Sequence, residues 1–530
     1  MLVVLSLLAC TNPVEETPDD TGTEVVVPTC DDGLLQNAWV TPEADPVSER
    51  RATAADATIS LANGETVQLS AGWQGCETWI FIPHKPKNFS GVYLWEDGLA
   101  DLVDLSPANT RYVFFVDGLY LDSATEIFDA QQARVDSYLA TLSEEDAAIW
   151  KDRLLVVSGS TKEGWGGWLP RALSADPFEN GMVIDRSQKL RGIGGYADVE
   201  YYDADVRWYD SRLRRVAHEA DYLNWEEQQR QEILVHEADS VRVPFWGGEV
   251  LSQYEDITVT MPDDLSTFDT LEIEVLMECP DRGEMEQGNC GAWDYLGHMW
   301  VLGPDGETWM EMARYITTYH RESHWFVDAT HAMPWLQAGQ EHTFRYEWAP
   351  SWNVQPTGVT ASLRFSNQGK GYRPVATTDL HTGGSFNASY NDGREAIEVE
   401  ISADAKKVEF MSLVTGHGGA TNNCAEFCDH RHAWDVDGTV TVQDFPEVGD
   451  SEGCSARSGE GVVANQPGTW WFGRGGWCPG EKVHPFVIDA TDAAADGKVS
   501  VGYSANYAAA ISIPNDSGNI ELRSWLVVYE

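Results

Sequence analysis

Positive charge is scarce in this chain. Its 530 residues carry 35 Lys and Arg against 85 Asp and Glu, a formal net charge of −50. Phosphates would be repelled rather than neutralised, which argues against a nucleic-acid ligand. The acids are spread along the chain instead of forming one tail, so they read first as a solvated surface. No run after the N-terminus approaches the ~20 apolar residues that a membrane span needs. Cys-x-x-Cys is also missing, and dithiol redox chemistry is therefore not expected. Apolar material, by contrast, is ample: 42% of residues are hydrophobic and 11% aromatic, enough for ordinary globular cores. The length calls for about three domains.

The first ten residues, Met1 to Cys10 (MLVVLSLLAC), form an apolar run ending in Leu7-Leu8-Ala9-Cys10. This resembles a bacterial lipoprotein signal with its lipobox, which implies lipidation of Cys10, although the usual basic start is absent. Residues 11–33 are rich in Pro, Thr and acids, as expected of a tether. Thr11 follows Cys10, so an outer-membrane location facing periplasm or exterior is expected, with the lipid as the sole membrane contact. Setting Cys10 aside leaves eight cysteines, an even number that suits four disulfides in an exported protein. Eight cysteines allow 105 pairings. Sequence neighbours suggest Cys30–Cys76, Cys279–Cys290, Cys424–Cys428 and Cys454–Cys478.

Texture divides the rest into an α/β segment, 34–235, and two all-β segments, 236–370 and 371–530. In the first, Arg111–Val116 (RYVFFV) and Leu154–Val157 read as apolar strands separated by a helical stretch around Ala130–Leu142. Ser143 with Asp146 gives a capping-box-like helix start. Met182–Ile193 reads as a hairpin turning at Arg186-Ser187, and Tyr209–Leu234 as a long charged helix. The order is similar to a thioredoxin-like unit without its redox cysteines. Beyond about Ser240, Leu271–Val275, Ile397–Ile401 and Thr439–Val442 alternate apolar and polar residues at period two. Two antiparallel sandwiches are expected, divided near the Gly-rich link Asn367–Pro374.

Eight segments of the all-β part occur in an informative order. They are Val241–Met261, Glu278-Cys279-Pro280, Cys290-Gly-Ala-Trp-Asp294, Arg314-Tyr-Ile-Thr317, Gly416-His417, Cys424-Ala-Glu-Phe-Cys428, Gly453-Cys454-Ser455 and Pro467–Gly480. Together they resemble the signature segments of the peptide-N-glycosidase F family over about 290 residues. The resemblance implies two jelly rolls side by side with an active site at their interface, and no metal or organic cofactor. It implies hydrolysis of the amide between asparagine and the first N-acetylglucosamine of N-glycosylated proteins or glycopeptides.

Matched position by position, the resemblance makes Asp294 the principal catalytic aspartate and Glu426 the second carboxylate. Amide hydrolysis needs a group to handle water and one to protonate the departing nitrogen, and carboxyls serve when burial raises their pKa. The small Cys424–Cys428 ring makes better sense as a clamp aiming Glu426 than as a stability device. A third acid falls at Glu347, with Trp348 or Trp352 as its aromatic companion. Arg474, Trp477 and His417 match residues lining the family's cleft, and a donor fork beside a flat ring suits a sugar. Two positions depart from the family: Tyr295 stands where it has Arg, and Thr415 where it has Trp. Both touch the sugar-facing rim, so Tyr295 is a substrate-binding position of altered chemistry. Read without the family, each of these residues also has an ordinary structural reading: a solvated acid, a salt bridge, a core tryptophan or a core histidine.

Two alternatives compete. One is a lipoprotein that binds glycans without cutting them. The other is a copper-dependent monooxygenase on the same double jelly roll, with His320, His324, His331, His381, His430 and His432 as potential ligands. Oligomeric state is left open.

Overall fold

The computed structural model describes residues 28–84, 94–118, 124–162, 165, 167–203, 209–418, 424–507 and 518–530. Cys10, the signal-like run 1–10 and most of the 11–33 tether lie outside the described residues.

Among the described residues, both all-β segments show eight strands in two four-stranded antiparallel sheets with the same winding. In the first sandwich one sheet runs Ser323–Asp328, Thr270–Glu278, Thr357–Ser366, Val241–Leu251. Its partner sheet runs Trp309–Ile316, Leu296–Leu302, Glu341–Glu347, Tyr254–Thr260. The second sandwich repeats the order with Phe486–Asp489, Lys407–His417, Asn519–Tyr529, Pro374–Ser385 facing Thr439–Gln443, His430–Val436, Lys498–Tyr507, Ile397–Glu400. Counting strands along each sandwich, both read 6-3-8-1 over 5-4-7-2, which is the jelly-roll order. Period-two sequence builds these layers. In Leu296–Leu302 and Lys498–Tyr507 every second side chain is buried between sheets.

The second sandwich turns the outer face of its strands Lys407–His417 and Asn519–Tyr529 to the first. Ile316, Leu413, Trp477, Val483, Trp525, Val527 and Tyr529 form a core of their own between them. Backbone bonds run across the seam: Ile316 N donates to Glu481 O, Gly480 N to Ile316 O and Val483 N to Arg314 O. Arg314, buried against Glu311, adds side-chain bonds to Thr415 Oγ1 (3.2 Å) and Glu521 O (2.7 Å).

The α/β segment contains one five-stranded sheet. Thr78–Pro83, Thr110–Val116 and Leu154–Ser160 are parallel and almost wholly buried. The hairpin Met182–Ile184/Leu190–Gly192 adds antiparallel strands beside Thr78–Pro83. The centre of the sheet is therefore Thr78–Pro83, a strand that sequence reading overlooked in favour of its neighbours. Ser143 caps helix Glu144–Lys151 by accepting Asp146 N–H at 3.1 Å. The charged helix begins at Val216, not Tyr209. Residues 209–212 instead lie beside 196–198, with Arg212 N bonded to Tyr196 O and Asp198 N to Asp210 O. The helix Val216–Val235 packs on a long second-sandwich loop, so Trp470, Trp471 and Val462–Ala464 share one core with the α/β sheet.

Candidate functional site

Asp294 lies in the turn leading into strand Leu296–Leu302. The Cys279–Cys290 disulfide closes the preceding loop. One hydroxyl then fixes the backbone on both sides of Asp294: Thr317 Oγ1 donates to Trp293 O at 2.7 Å and accepts from Tyr295 N at 2.8 Å. A threonine hydroxyl does both because it is donor and acceptor at once. Glu426 sits on a one-turn helix, Cys424–Phe427, closed by the Cys424–Cys428 disulfide. Gly418 N donates to its Oε2 at 2.9 Å, and its own carbonyl accepts from Gly475 N.

Arg474, on the long loop of the second sandwich, joins the two acids. Its Nη2 is 3.4 Å from Asp294 Oδ2 and its Nε 3.4 Å from Glu426 Oε1. The guanidinium is 1% exposed, and the Asp294 and Glu426 side chains 14% and 18%. Its remaining donors reach Phe472 O at 2.9 Å and Thr469 O at 3.2 Å, and it stacks over Trp477 at 4.9 Å. Trp477 donates to Gly416 O at 2.7 Å and stacks on His417 at 5.2 Å.

The electrostatics follow from one cation serving two buried acids. Burial pushes the Asp294 carboxyl up, with Arg474 and the Tyr319 hydroxyl offsetting only part of that rise. Burial likewise raises Glu426; Arg474 opposes the rise and the nearby Asp294 charge adds to it. With both acids ionised the trio would carry a net −1, so it takes up a proton more readily than two exposed carboxyls. Burial pushes His417 down to about 3, so its imidazole is neutral across the physiological range.

The structure thus gathers Asp294, Glu426, Arg474, Trp477 and His417. Two further candidates stand apart. Glu347 pairs with His298 across strands and accepts Trp300 Nε1 at 3.2 Å. Tyr295 turns to a first-sandwich loop, where its hydroxyl accepts Asn353 Nδ2 at 2.7 Å and its ring meets Trp352 edge-on at 5.9 Å. Among the described residues no hydrogen bond or ion pair ties either to the Asp294–Arg474–Glu426 group. Thr415 is buried; its hydroxyl accepts from Arg314 and is hydrogen-bonded to His417 Nε2 (2.9 Å), so it serves the seam between sandwiches. Tyr319 was missed by the sequence reading. Its hydroxyl accepts from Arg474 Nη2 at 3.4 Å, the same nitrogen that lies 3.4 Å from Asp294 Oδ2. Its position just after Arg314-Tyr-Ile-Thr317 was the available signal.

All four cysteine pairs suggested by neighbourhood are disulfide-bonded: Cys30–Cys76, Cys279–Cys290, Cys424–Cys428 and Cys454–Cys478. The histidines do not converge. His430 Nδ1 bonds His432 Nε2, and His432 Nδ1 bonds Tyr503 Oη, each at 2.8 Å. His324 lies between Glu226 and Glu274, His381 faces Val501 O, His331 packs on Trp525, and His320 faces Cys290 O. Among the described residues no group of three or more His, Cys, Asp or Glu is arranged to hold a metal ion.

Parts of the chain are similar to known proteins. Residues 385–528 match the family model described as "Peptide-N-glycosidase F, C terminal". A peptide-N(4)-(N-acetyl-beta-D-glucosaminyl)asparagine amidase F from Elizabethkingia miricola is 25% identical over 281 residues, covering 47% of this chain and 71% of that protein. Solved structures similar to the chain include an amidase of the same name, at 18% identity and TM-score 0.44 over 55% of this chain and 96% of the other. Another is PNGase F from Flavobacterium meningosepticum, at 18% and 0.43 over 55% and 95%. The chain is related to the peptide-N-glycosidase F family, and its residues 385–528 correspond to that family's C-terminal unit.

Proposed function

We propose that the chain hydrolyses the amide bond joining an asparagine side chain to the first N-acetylglucosamine of N-glycosylated proteins or glycopeptides. The observation that carries this reading is the pinning of Asp294 and Glu426 by one buried guanidinium at the seam of two sandwiches. A water held by the carboxylates attacks the amide carbon, and one ionised carboxylate accepts its proton. The carbon–nitrogen bond then breaks as a carboxyl returns a proton to nitrogen. The peptide keeps an aspartate and the sugar leaves as a glycosylamine. Raised carboxyl pKa values suit this exchange, because one acid of the pair holds a proton while the other is free of it. Arg474 and Trp477 are buried, with the guanidinium engaged by both acids and two carbonyls and the indole stacked on Arg474 and His417, so they hold the acids in place instead of meeting the sugar. No metal or organic cofactor enters these steps.

Denatured glycoprotein and isolated glycopeptides incubated with the protein in isotopically labelled water test the reading. Release of glycan with label in a new aspartate supports it, and Asp294→Asn should abolish both signals. A second reading is favoured by Tyr295, which ties to Asn353 and the exposed Trp352 instead of the acids: the rim binds glycans that are not cut. Glycan binding that survives while wild type and Asp294→Asn are equally inert would establish that alternative. We further propose an exported location. Four disulfides support it, since such bonds persist in oxidising compartments. Lipid anchoring at Cys10 remains part of that proposal, and mass spectrometry of the membrane-extracted N-terminal peptide tests it.

A further inference from the structure

The helix Val216–Val235 of the α/β segment is tied to the turn beside the candidate site by a buried arginine. Arg321, on the first sandwich, uses all of its donors. Nη1 and Nη2 each bond one oxygen of Glu219 at 2.9 Å, a forked pair between two buried side chains. The other protons go to Gly192 O of the α/β hairpin at 2.8 Å, Ala464 O of the second sandwich at 2.6 Å and Glu286 Oε2 of the Cys279–Cys290 loop at 2.6 Å. Glu219 Oε2 also accepts Asn465 Nδ2 at 2.9 Å. The neighbouring backbones are in close contact: Gly195 N bonds Asn465 O at 2.9 Å, and a Cβ on Gly194 would stand 1.8 Å from that oxygen.

This junction holds the turn that carries Tyr319. Thr318 Oγ1 bonds the Arg321 carbonyl, and Tyr319 N bonds Gln466 Oε1 at 2.9 Å, one residue from Asn465. The Tyr319 ring lies against Gly468, and its hydroxyl meets Arg474 Nη2 at 3.4 Å, where that nitrogen also pairs with Asp294.

We propose that the α/β domain is a working part of the site: through the Glu219–Arg321 pair it positions Tyr319 against Asp294. The inference rests on the amidase reading for its catalytic consequence, but the coupling is a property of the fold alone. Glu219 and Arg321 are positioning residues. Tyr319, facing both Asp294 and Arg474, is the group they place.

The test uses the full chain with aspartates isotope-labelled at the side-chain carboxyl, Asp294 being assigned by difference against Asp294→Asn. In Glu219→Gln the Asp294 titration moves to higher pH, because a displaced Tyr319 no longer favours the ionised carboxylate. Tyr319→Phe gives the same direction, and the double variant moves no further than Tyr319→Phe alone. Glycopeptide turnover by Glu219→Gln falls on the order of ten- to a hundredfold in kcat with KM nearly unchanged. Glu219→Asp, which keeps the charge on a shorter arm, shifts partway. A folded Glu219→Gln with an unmoved Asp294 titration overturns the proposal, as do shifts that add in the double variant. If Glu219→Gln does not fold, Glu219→Asp decides on the same titration. A wild type inert on glycopeptides whose titrations still couple overturns the amidase reading and leaves the positioning intact.

Discussion

At the scale of single residues, two buried arginines face opposite electrostatic problems. Arg314 serves Glu311. Burial pushes that carboxyl up, but Arg314 and His298 outweigh burial and hold it well below the ordinary range. Arg474 serves two acids and leaves both above their ordinary values. The two arginines should therefore respond differently to removal. Arg314→Met leaves Glu311 fully buried with His298 as its remaining partner, and denaturant titration should show a loss of about 3–5 kcal/mol. Arg474→Met leaves acids that take up a proton instead, so its stability loss should be smaller while glycan release disappears. Arg474→Lys keeps one charge but not the fork, and should also be inactive, since a lone ammonium does not span both carboxylates.

Among the elements, the disulfides divide by ring size. Loop entropy gives the Cys424–Cys428 ring, with a sequence separation of 4, about 2 kcal/mol, against about 4 kcal/mol for Cys30–Cys76, with a separation of 46. If the small ring aims Glu426, a Cys424→Ser/Cys428→Ser double variant should lose far more activity than stability. Cys30→Ser/Cys76→Ser should do the reverse, as paired melting and glycan-release measurements would show. The seam between sandwiches makes a complementary case. Trp525 is 1% exposed, and its ring packs 4.7 Å from His331. Trp525→Ala should cost about 3–5 kcal/mol in denaturant titration.

Over the whole molecule, ion pairs join the α/β segment to the first sandwich. His324 lies between Glu226 of helix Val216–Val235 and Glu274 of the sandwich, with Arg191 on the first and Arg242 on the second. Burial would raise Glu274, but His324 and Arg242 outweigh it and bring the carboxyl down to about 2. Glu226 is lowered as well: burial opposes, and Arg191 and His324 win. A depressed folded pKa means stability that is complete above the ordinary carboxyl value and lost as pH falls through the folded one. Melting temperature should therefore decline as pH drops from about 4.5 toward 2, and Glu274→Gln should flatten that decline.

Period two in segments such as Ile397–Ile401 was sufficient to read the sandwiches, because a half-buried strand writes its exposure directly into side-chain alternation. The family resemblance carried by ordered motifs pointed to Asp294, Glu426, Arg474, Trp477 and His417, and the structure brings these five side chains together. Thr78–Pro83 was obscure because a parallel strand buried on both faces has no alternation to display. Glu347 and Tyr295 were credited with site roles that their spacing alone did not decide: cross-strand register put one beside His298, and a loop drew the other to Asn353. The chain's sequence by itself determined its alternating strands and an even cysteine set, and its resemblance to a family pointed to the acid pair; the structure chose the cysteine pairing. Only tertiary structure decided that one guanidinium serves both acids, and that Glu219, far away in sequence, holds the turn carrying Tyr319. Such contacts depend on where separate elements dock, and no local pattern of residues encodes that docking.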